Sequence, residues 1–88
     1  MNEKDSPLEF PCHFPIKVMG ATSGAFKITV IEIVKKHIPE LIDDHINERP
    51  SSNNKYSSLT ITVHVSSREQ LDNIYRELHA SEHVLMSL

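Results

Sequence analysis

The segment from Tyr56 to Val65 alternates between apolar and polar side chains along almost its whole length. A period of two in mostly β-branched residues predicts a β-strand with one face buried and the other in water. Strands of this kind are typical of antiparallel sheets. The residues expected in the core are Leu59, Ile61, Val63 and Val65, and those expected on the wet face are Ser58, Thr60, Thr62 and His64.

The stretch before this strand predicts another strand followed by a helix. Phe14–Gly20 alternates with a period of two, and Pro15 is expected at the strand's start or on an edge position. A stripe of apolar residues at helical spacing comes next, with Thr22 or Ser23 as the expected N-cap and Pro39 as the stop. The stripe consists of Phe26, Val30, Ile33, Val34 and His37.

The other residues predict two more strands and a second helix. We interpret Leu41–Arg49 as an edge strand, because its charges are of the kind that discourage edge-to-edge aggregation. Ser66 and Glu69 have the spacing of a capping box, so the second helix is expected to begin at Ser66. The last strand is expected at Val84–Leu88, and its core-facing residues are Val84, Met86 and Leu88.

The predicted order is β-α-β-β-α-β, an α+β ferredoxin-like fold with a four-stranded antiparallel sheet. Right-handed crossovers place both helices on one face of that sheet. The chain has 88 residues, enough for one domain, which we expect at 8–88 after a disordered arm at 1–7. The uncovered face is then expected to carry Lys17, Met19, Thr60, Thr62, His64, Leu85 and Ser87.

Composition and charge argue against several classes of protein. Cys12 is the single cysteine, so it forms no intramolecular disulfide, and a reducing, cytoplasmic location is expected. No apolar run approaches the roughly 18–20 residues that span a bilayer, so no membrane association is expected. A net charge of −3 and an uncovered face without stacking aromatic residues argue against nucleic-acid binding.

Metal binding and catalysis are weakly supported by the sequence. His79 and His83 are four positions apart, but they straddle the predicted helix exit and lack a third ligand in register. Cys12 and His13 are adjacent in an extended segment, so their side chains point in opposite directions. The turn at 20–24 lacks the arginine with which acylphosphatases of this topology hold phosphate. We therefore expect no metal, no other cofactor and no enzymatic activity.

Several motifs are spread over about residues 8–88: Phe10-Pro11, Phe14, Lys17-Val18-Met19-Gly20, Pro50-Ser51-Ser52, Tyr56–Thr62, Glu69-Gln70, Tyr75, Glu77-Leu78 and the closing Val84, Met86 and Leu88. Taken together, these motifs resemble the YbeD-like family of small bacterial proteins. That resemblance implies a fold similar to the ACT regulatory domains of amino-acid metabolism, and no established catalytic residues. Family members are commonly described as lipoate-regulatory or lipoic-acid-binding proteins. The segment Asn53-Asn54-Lys55 departs from the family, whose loops often carry a glycine there.

The first hypothesis about function is a regulatory module that binds a small carboxylate, either lipoate or an amino acid. The resemblance to ACT domains implies pairing into a homodimer, with ligand near the turn after the first strand. Small side chains and backbone N–H groups at a helix N-terminus suit a carboxylate, although a plain strand-to-helix turn has the same composition. The residues expected to bind are Lys17, Gly20, Ala21, Thr22, Ser23 and Gly24.

The second hypothesis is an adaptor that binds a protein partner through the uncovered sheet face and the loop at 50–56. Loops commonly display binding residues, although a plain hairpin connection explains the same sequence. A ligand sensor should respond at 20–24, whereas an adaptor should respond at the loop. The loop residues expected to contact a partner are Ser51, Ser52, Lys55 and Tyr56.

Overall fold

The computed structural model describes residues 9–22 and 24–87, which form the predicted order of strands and helices. The predicted arm at 1–7 lies outside the described residues. Neighbouring strands are antiparallel, in the order β2-β3-β1-β4, which confirms the α+β ferredoxin-like fold. The elements are β1 (Cys12–Ala21), α1 (Phe26–His37), a 3-10 turn (Asp43–His45), β2 (Ile46–Pro50), β3 (Tyr56–Val65), α2 (Arg68–Ala80) and β4 (Met86–Ser87).

The core lies between one face of the sheet and the two helices. The alternation that predicted β3 is confirmed, because its apolar residues are at most 1% exposed. The stripe predicted for the first helix is confirmed as well, and with the apolar stripe of α2 at Leu71, Ile74 and Leu78 it supplies the opposite side of the same core. Buried hydrophobic residues are Ile16, Val18, Phe26, Val30, Val34, Ile38, Leu41, Leu59, Ile61, Val63, Val65, Leu71, Ile74 and Leu78.

β1 is longer than predicted and accommodates Pro15 in its interior. The carbonyl of Met19 accepts a hydrogen bond from the N–H of Leu85 at 2.8 Å, so the backbone groups of Met19 face β4. By alternation, the nitrogen of Pro15 faces that side too. The described β4 pairs with β1 at Val18 and Met19, beyond Pro15. Pro15 therefore occupies an edge position, as expected, where its missing N–H disrupts no described ladder.

α1 begins later than predicted, with Ala25 as its N-cap and no side-chain cap. β1 continues to Ala21, and the N–H of Thr22 still bonds to the carbonyl of Lys55 at 2.9 Å. The chain therefore turns into the helix only after Gly24, whose φ of +92° suits a residue without a Cβ. Thr22 is thus not the cap, and Ser23 lies outside the described residues.

α2 begins one residue later than predicted, with Ser67 rather than Ser66 as the N-cap. The hydroxyl of Ser67 accepts the N–H of Gln70 at 3.1 Å. The side chain of Gln70 in turn accepts the N–H of Ser66 at 2.7 Å. The predicted capping box is therefore replaced by a related arrangement, in which Gln70 rather than Glu69 reaches back, and its partner is the N–H of Ser66, the residue before the N-cap.

β2 is shorter than the predicted strand at Leu41–Arg49. Leu41 is buried in the core, and the 3-10 turn at Asp43–His45 separates it from the strand. Because Leu41 is held by the core rather than by the sheet, extended pairing starts only at Ile46. The predicted edge position is confirmed by the strand order.

β4 is shorter than the predicted strand at Val84–Leu88, and its two residues show side-chain faces opposite to those predicted, whereas Val84 packs against the core and Leu85 is exposed, as expected. Met86 pairs with Met19 and is 51% exposed on the uncovered face, whereas Ser87 is half-buried. The N–H of Leu85 also donates to the carbonyl of Met19, so two successive residues oppose one. This is the geometry of a β-bulge, which shifts the alternation by one residue. Leu88 lies outside the described residues.

Candidate functional site

Two adjacent rows of side chains on the uncovered sheet face line an open cleft of about 350 Å³, here called the sheet cleft. Each row crosses the strands through directly paired residues. The cleft volume is within the usual range for small-molecule sites. The first row is Arg49, Ser58, Met19 and Met86, and the second is Asn47, Thr60 and Lys17.

Lys17 and Arg49 bring two positive charges to the sheet cleft. They lie two strands and one row apart, so their backbones are separated by about 12 Å and their long side chains can reach one anion between them. Among the described residues, neither cation has an ion-pair partner. Ser58 and Thr60 place hydroxyl groups on the strand between the two cations.

The opposite corner of the sheet cleft is apolar. Met19 is 39% exposed and Met86 is 51% exposed, side by side on β1 and β4. No acidic side chain is among the residues that line the cleft in the described part of the chain. Glu48, on the neighbouring strand β2, pairs instead with Lys27 of α1 at 3.0 Å, on the helix side of the sheet. The cleft therefore combines a positively charged corner with an apolar corner.

The structure separates Lys17 from Gly20, which were predicted to share a site. Gly20 is buried on the helix face of the sheet, whereas Lys17 is exposed on the other face. A Cβ at Gly20 would lie 2.6 Å from the carbonyl oxygen of His83 and would clash with the ring of Phe26. Gly20 is therefore used for close packing and offers no free surface to a ligand.

The turn after β1 and the loop before β3 lie side by side at one end of the sheet. The N–H of Thr22 donates to the carbonyl of Lys55 at 2.9 Å, and its Oγ1 lies 3.2 Å from the hydroxyl of Ser57. Ala21 is exposed and pairs with Tyr56. The two segments that the sequence proposed as separate sites are thus neighbours.

The predicted interaction loop is held by its own hydrogen bonds. Ser51 donates its N–H to the carbonyl of Tyr56 at 2.8 Å and its hydroxyl to Oδ1 of Asn53 at 2.9 Å. The same Oδ1 accepts the N–H of Lys55 at 3.1 Å. Asn54 has a φ of +60°, the left-handed conformation in which asparagine is tolerated better than most residues. Asn54 therefore occupies a backbone position that glycine adopts without strain.

This loop borders the sheet cleft. Tyr56 is 43% exposed and, with Pro50 and Ser51, lines a shallow depression of about 190 Å³. The depression shares Met19, Arg49 and Ser58 with the cleft. The other two predicted loop residues, Ser52 and Lys55, are exposed outside both lining sets.

Arg49, Ser58 and Met86 are site residues that the sequence analysis missed. Arg49 was interpreted as a charge that protects an edge strand, and Met86 was placed in the core. Strand pairing could have identified Arg49, because its place opposite Ser58 puts it on the same face as the predicted exposed residues of β3. The face of Met86 depends on the bulge at Leu85, for which the sequence has no clear signal.

The histidines lie away from the sheet cleft. His13 and His64 face each other across β1 and β3 with ring centroids 4.7 Å apart, and His83 lies 3.9 Å from the carboxylate of Glu82. Within residues 9–22 and 24–87 there is no group of three metal-ligating side chains. In that same part of the chain, neither helix is long and apolar enough to cross a bilayer.

The architecture is similar to that of two solved structures, one of which is an ACT domain. The solution structure of HP0495 from H. pylori matches with a TM-score of 0.67 and 18% identity, covering 100% of this chain and 96% of that protein. The ACT domain from the GTP pyrophosphokinase of Chlorobium tepidum matches with a TM-score of 0.62 and 13% identity, covering 86% of this chain and 94% of that domain. These similarities define an ACT-like α+β domain.

The chain belongs to the family described as "Protein of unknown function (DUF493)", whose model matches residues 5–88. A UPF0250 protein of Neisseria gonorrhoeae is 48% identical over 85 residues, covering 97% of this chain and 93% of the relative. A UPF0250 protein of Chromobacterium violaceum is 42% identical over 87 residues, covering 99% of this chain and 98% of the relative. The expected membership of a YbeD-like family of small bacterial proteins is confirmed, and neither relative has an enzyme's name.

Proposed function

We propose that this protein is a non-enzymatic regulatory domain that works by binding a small carboxylate ligand in the sheet cleft. The observation that supports the proposal most directly is that Lys17 and Arg49 line one cleft, without ion-pair partners among the described residues. Such a cleft attracts anions although the chain as a whole has a net charge of −3. The ACT-like fold supports a ligand-responsive role by analogy.

Each side chain of the polar corner has a suitable role toward a carboxylate. The planar fork of Arg49 can donate two parallel hydrogen bonds to the two carboxylate oxygens. Lys17 adds a flexible point charge, and the hydroxyl of Thr60 adds a donor from the strand between them. Lipoate and amino acids are the candidate ligands, and pairing into a homodimer and a cytoplasmic location stay predictions.

The proposal retains Lys17 from the predicted ligand site and places the carboxylate nearer to Arg49 than to the turn at 20–24. The reason is that Gly20 is buried, on the opposite face of the sheet from Lys17. Ala21, Thr22 and Gly24 are proposed as a second region that responds to the ligand. They adjoin the loop at 51–56, which itself borders the cleft.

An amide NMR titration with lipoate, octanoate and a panel of amino acids tests the proposal. We expect saturable shifts at Lys17, Met19, Arg49 and Ser58, with smaller shifts at Thr22. Replacing Lys17 by Glu should weaken binding about tenfold or more, because a repulsive charge then faces the ligand.

The matched control is Lys35→Glu, since Lys35 is exposed on α1 and the charge change is the same. The control should bind as tightly as the unmodified protein. Equal affinity of the Lys17→Glu variant would rule out the electrostatic role of Lys17. Failure of every carboxylate to produce shifts at millimolar concentration would overturn the proposed function.

A protein-interaction adaptor is the second candidate, supported by a group of exposed apolar side chains on the uncovered face. These side chains are Met19, Tyr56 and Met86, and the exposed Leu85 is next to Met86 in the chain. An adaptor would show loss of NMR signal at Ser51–Tyr56 and on the sheet face when a protein partner is added. It would show no response there to small carboxylates, which separates the two candidates in one set of spectra.

A further inference from the structure

The sheet cleft has a polarity gradient that a small carboxylate alone does not use. Arg49 on β2, the hydroxyl groups on β3 and Lys17 on β1 form its polar part, while Met19 on β1 and Met86 on β4 form its apolar wall at the end of the first row. From the middle of β3 to β4 is two strand spacings, about 10 Å. An anion held between Lys17 and Arg49 would therefore direct the rest of its molecule over the two methionines.

The charges that line the sheet cleft also discriminate against one class of carboxylate. An amino acid carries an ammonium group next to its carboxylate, and that group needs an acceptor or a negative charge. Among the described residues the cleft offers two cations and no carboxylate. Glu48, the acidic residue of β2, is engaged by Lys27 on the other side of the sheet. An ammonium group in the cleft would face repulsion from two cations, with only the neutral acceptors of Asn47, Ser58 and Thr60 to compensate.

We infer that the sheet cleft selects a monocarboxylate with an unbranched apolar chain and no ammonium group, and that it rejects zwitterionic amino acids. This inference rests on the proposed function and narrows its ligand class. The flexible thioether side chains of the two methionines adapt to a chain whose shape is not rigid. Their exposure in the unliganded protein leaves apolar surface that such a chain would cover.

The decisive comparison uses hexanoate and norleucine, which share a six-carbon chain and a carboxylate and differ in the ammonium group. Amide NMR titration of the full chain should give a Kd for hexanoate about tenfold or more below that for norleucine. Across butyrate, hexanoate and octanoate, affinity should increase about two- to fourfold per methylene while the chain still covers Met86.

Two variants locate the apolar part of the site. Met86→Ser should reduce the dependence of affinity on chain length, so that octanoate loses more affinity than butyrate does. Leu85→Ser is the matched control, because Leu85 is the exposed neighbour of Met86 outside the cleft lining. This variant should keep the chain-length dependence of the unmodified protein.

The outcomes separate the inference from the proposed function. Norleucine binding as tightly as hexanoate, with shifts at the cleft residues, would overturn the inference and keep the proposed function. Equal affinity for butyrate and octanoate would likewise overturn the role of the apolar wall. Absence of binding by every carboxylate, amino acids included, would overturn both.

Discussion

The Nε2 atom of His37, at the end of α1, lies 2.8 Å from Oε2 of Glu77 on α2. The other oxygen of this carboxylate lies 2.7 Å from Nζ of Lys36. Glu77 therefore joins the last turn of α1 to the C-terminal part of α2. Hydrogen bonds from Lys36 and then His37 lower the pKa of Glu77, because they favour its charged form.

This contact predicts a dependence of stability on pH. Because the pKa of Glu77 is lower in the folded state than its ordinary 4.5, the contact stabilises the protein above that pH and the contribution is lost as the pH falls through the folded pKa. We expect Glu77→Gln to lower the Tm near neutral pH, and the difference from the unmodified protein to shrink below pH 4.5. Thermal melts over a pH series measure this. Glu32→Gln, at an exposed position of α1, is the control, and a difference that did not vary with pH would contradict the prediction.

Replacing Ile61 by Ala should destabilise the protein by about 2–5 kcal/mol, because it opens a cavity in a fully buried site. This loss is comparable to the whole stability of many small domains, so Ile61→Val, at about 0.5–1.5 kcal/mol, provides a variant that stays folded. Urea denaturation measures both. Thr62→Ala, on the opposite face of β3, should have a much smaller effect, and a larger effect at Thr62 would invert our assignment of the strand's faces.

The two glycines near α1 should tolerate alanine poorly for different reasons. At Gly20 the added Cβ would meet the ring of Phe26 and the carbonyl of His83, at a cost of about 1–3 kcal/mol. At Gly24 an added Cβ would meet open space, but the positive φ would strain the backbone of an alanine, at a cost of about 1–2 kcal/mol.

A double-mutant cycle in urea distinguishes the two glycines. Phe26→Leu removes the clashing ring and should recover part of the loss caused by Gly20→Ala, with no such coupling to Gly24→Ala. Equal coupling of Phe26→Leu to both glycine variants would refute the packing explanation for Gly20.

Asn54 should respond to substitution according to backbone conformation alone. Its φ of +60° is adopted freely by glycine, so Asn54→Gly is expected to be neutral or stabilising by up to about 1 kcal/mol. A β-branched residue is poorly tolerated there, so Asn54→Val should destabilise the protein by about 1–2 kcal/mol. Chemical denaturation of the two variants tests this predicted order of stability. A valine variant as stable as the glycine variant would contradict the prediction.

Local patterns predicted the fold well because each core element has a clear period. The alternation of β3 and the stripe of α2 place apolar residues on one face whatever the surrounding structure, and Ile61 and Leu78 are both fully buried. Element ends were predicted less well. The start of α1 depends on the bond between Thr22 and Lys55, which connects residues far apart in the chain.

The candidate site was harder to predict because it is made by strand pairing. Lys17 was assigned correctly to the uncovered face. Arg49, the second cation of the cleft, comes from the edge strand β2, which lies two strands away from Lys17. The bulge opposite Met19 then turned Met86 from an expected core residue into part of the cleft wall. Neither relationship has a local signature, since both depend on which strands are neighbours and in what register.

The lengths of the strands have a consequence for how the sheet opens and forms. β1 and β3 each have ten residues, whereas β2 has five and β4 two. β1 and β3 are the two central strands, and Ile16 of β1 pairs with Ile61 of β3 although α1 and β2 lie between them in the chain. Folding therefore requires contact between residues far apart in the chain, and it should be slower than in a helical bundle of similar size. Once the central pair has formed, the edge strands can open without it. Backbone amides bonded to β4 should therefore exchange with solvent first, those of β2 next, and those between β1 and β3 last.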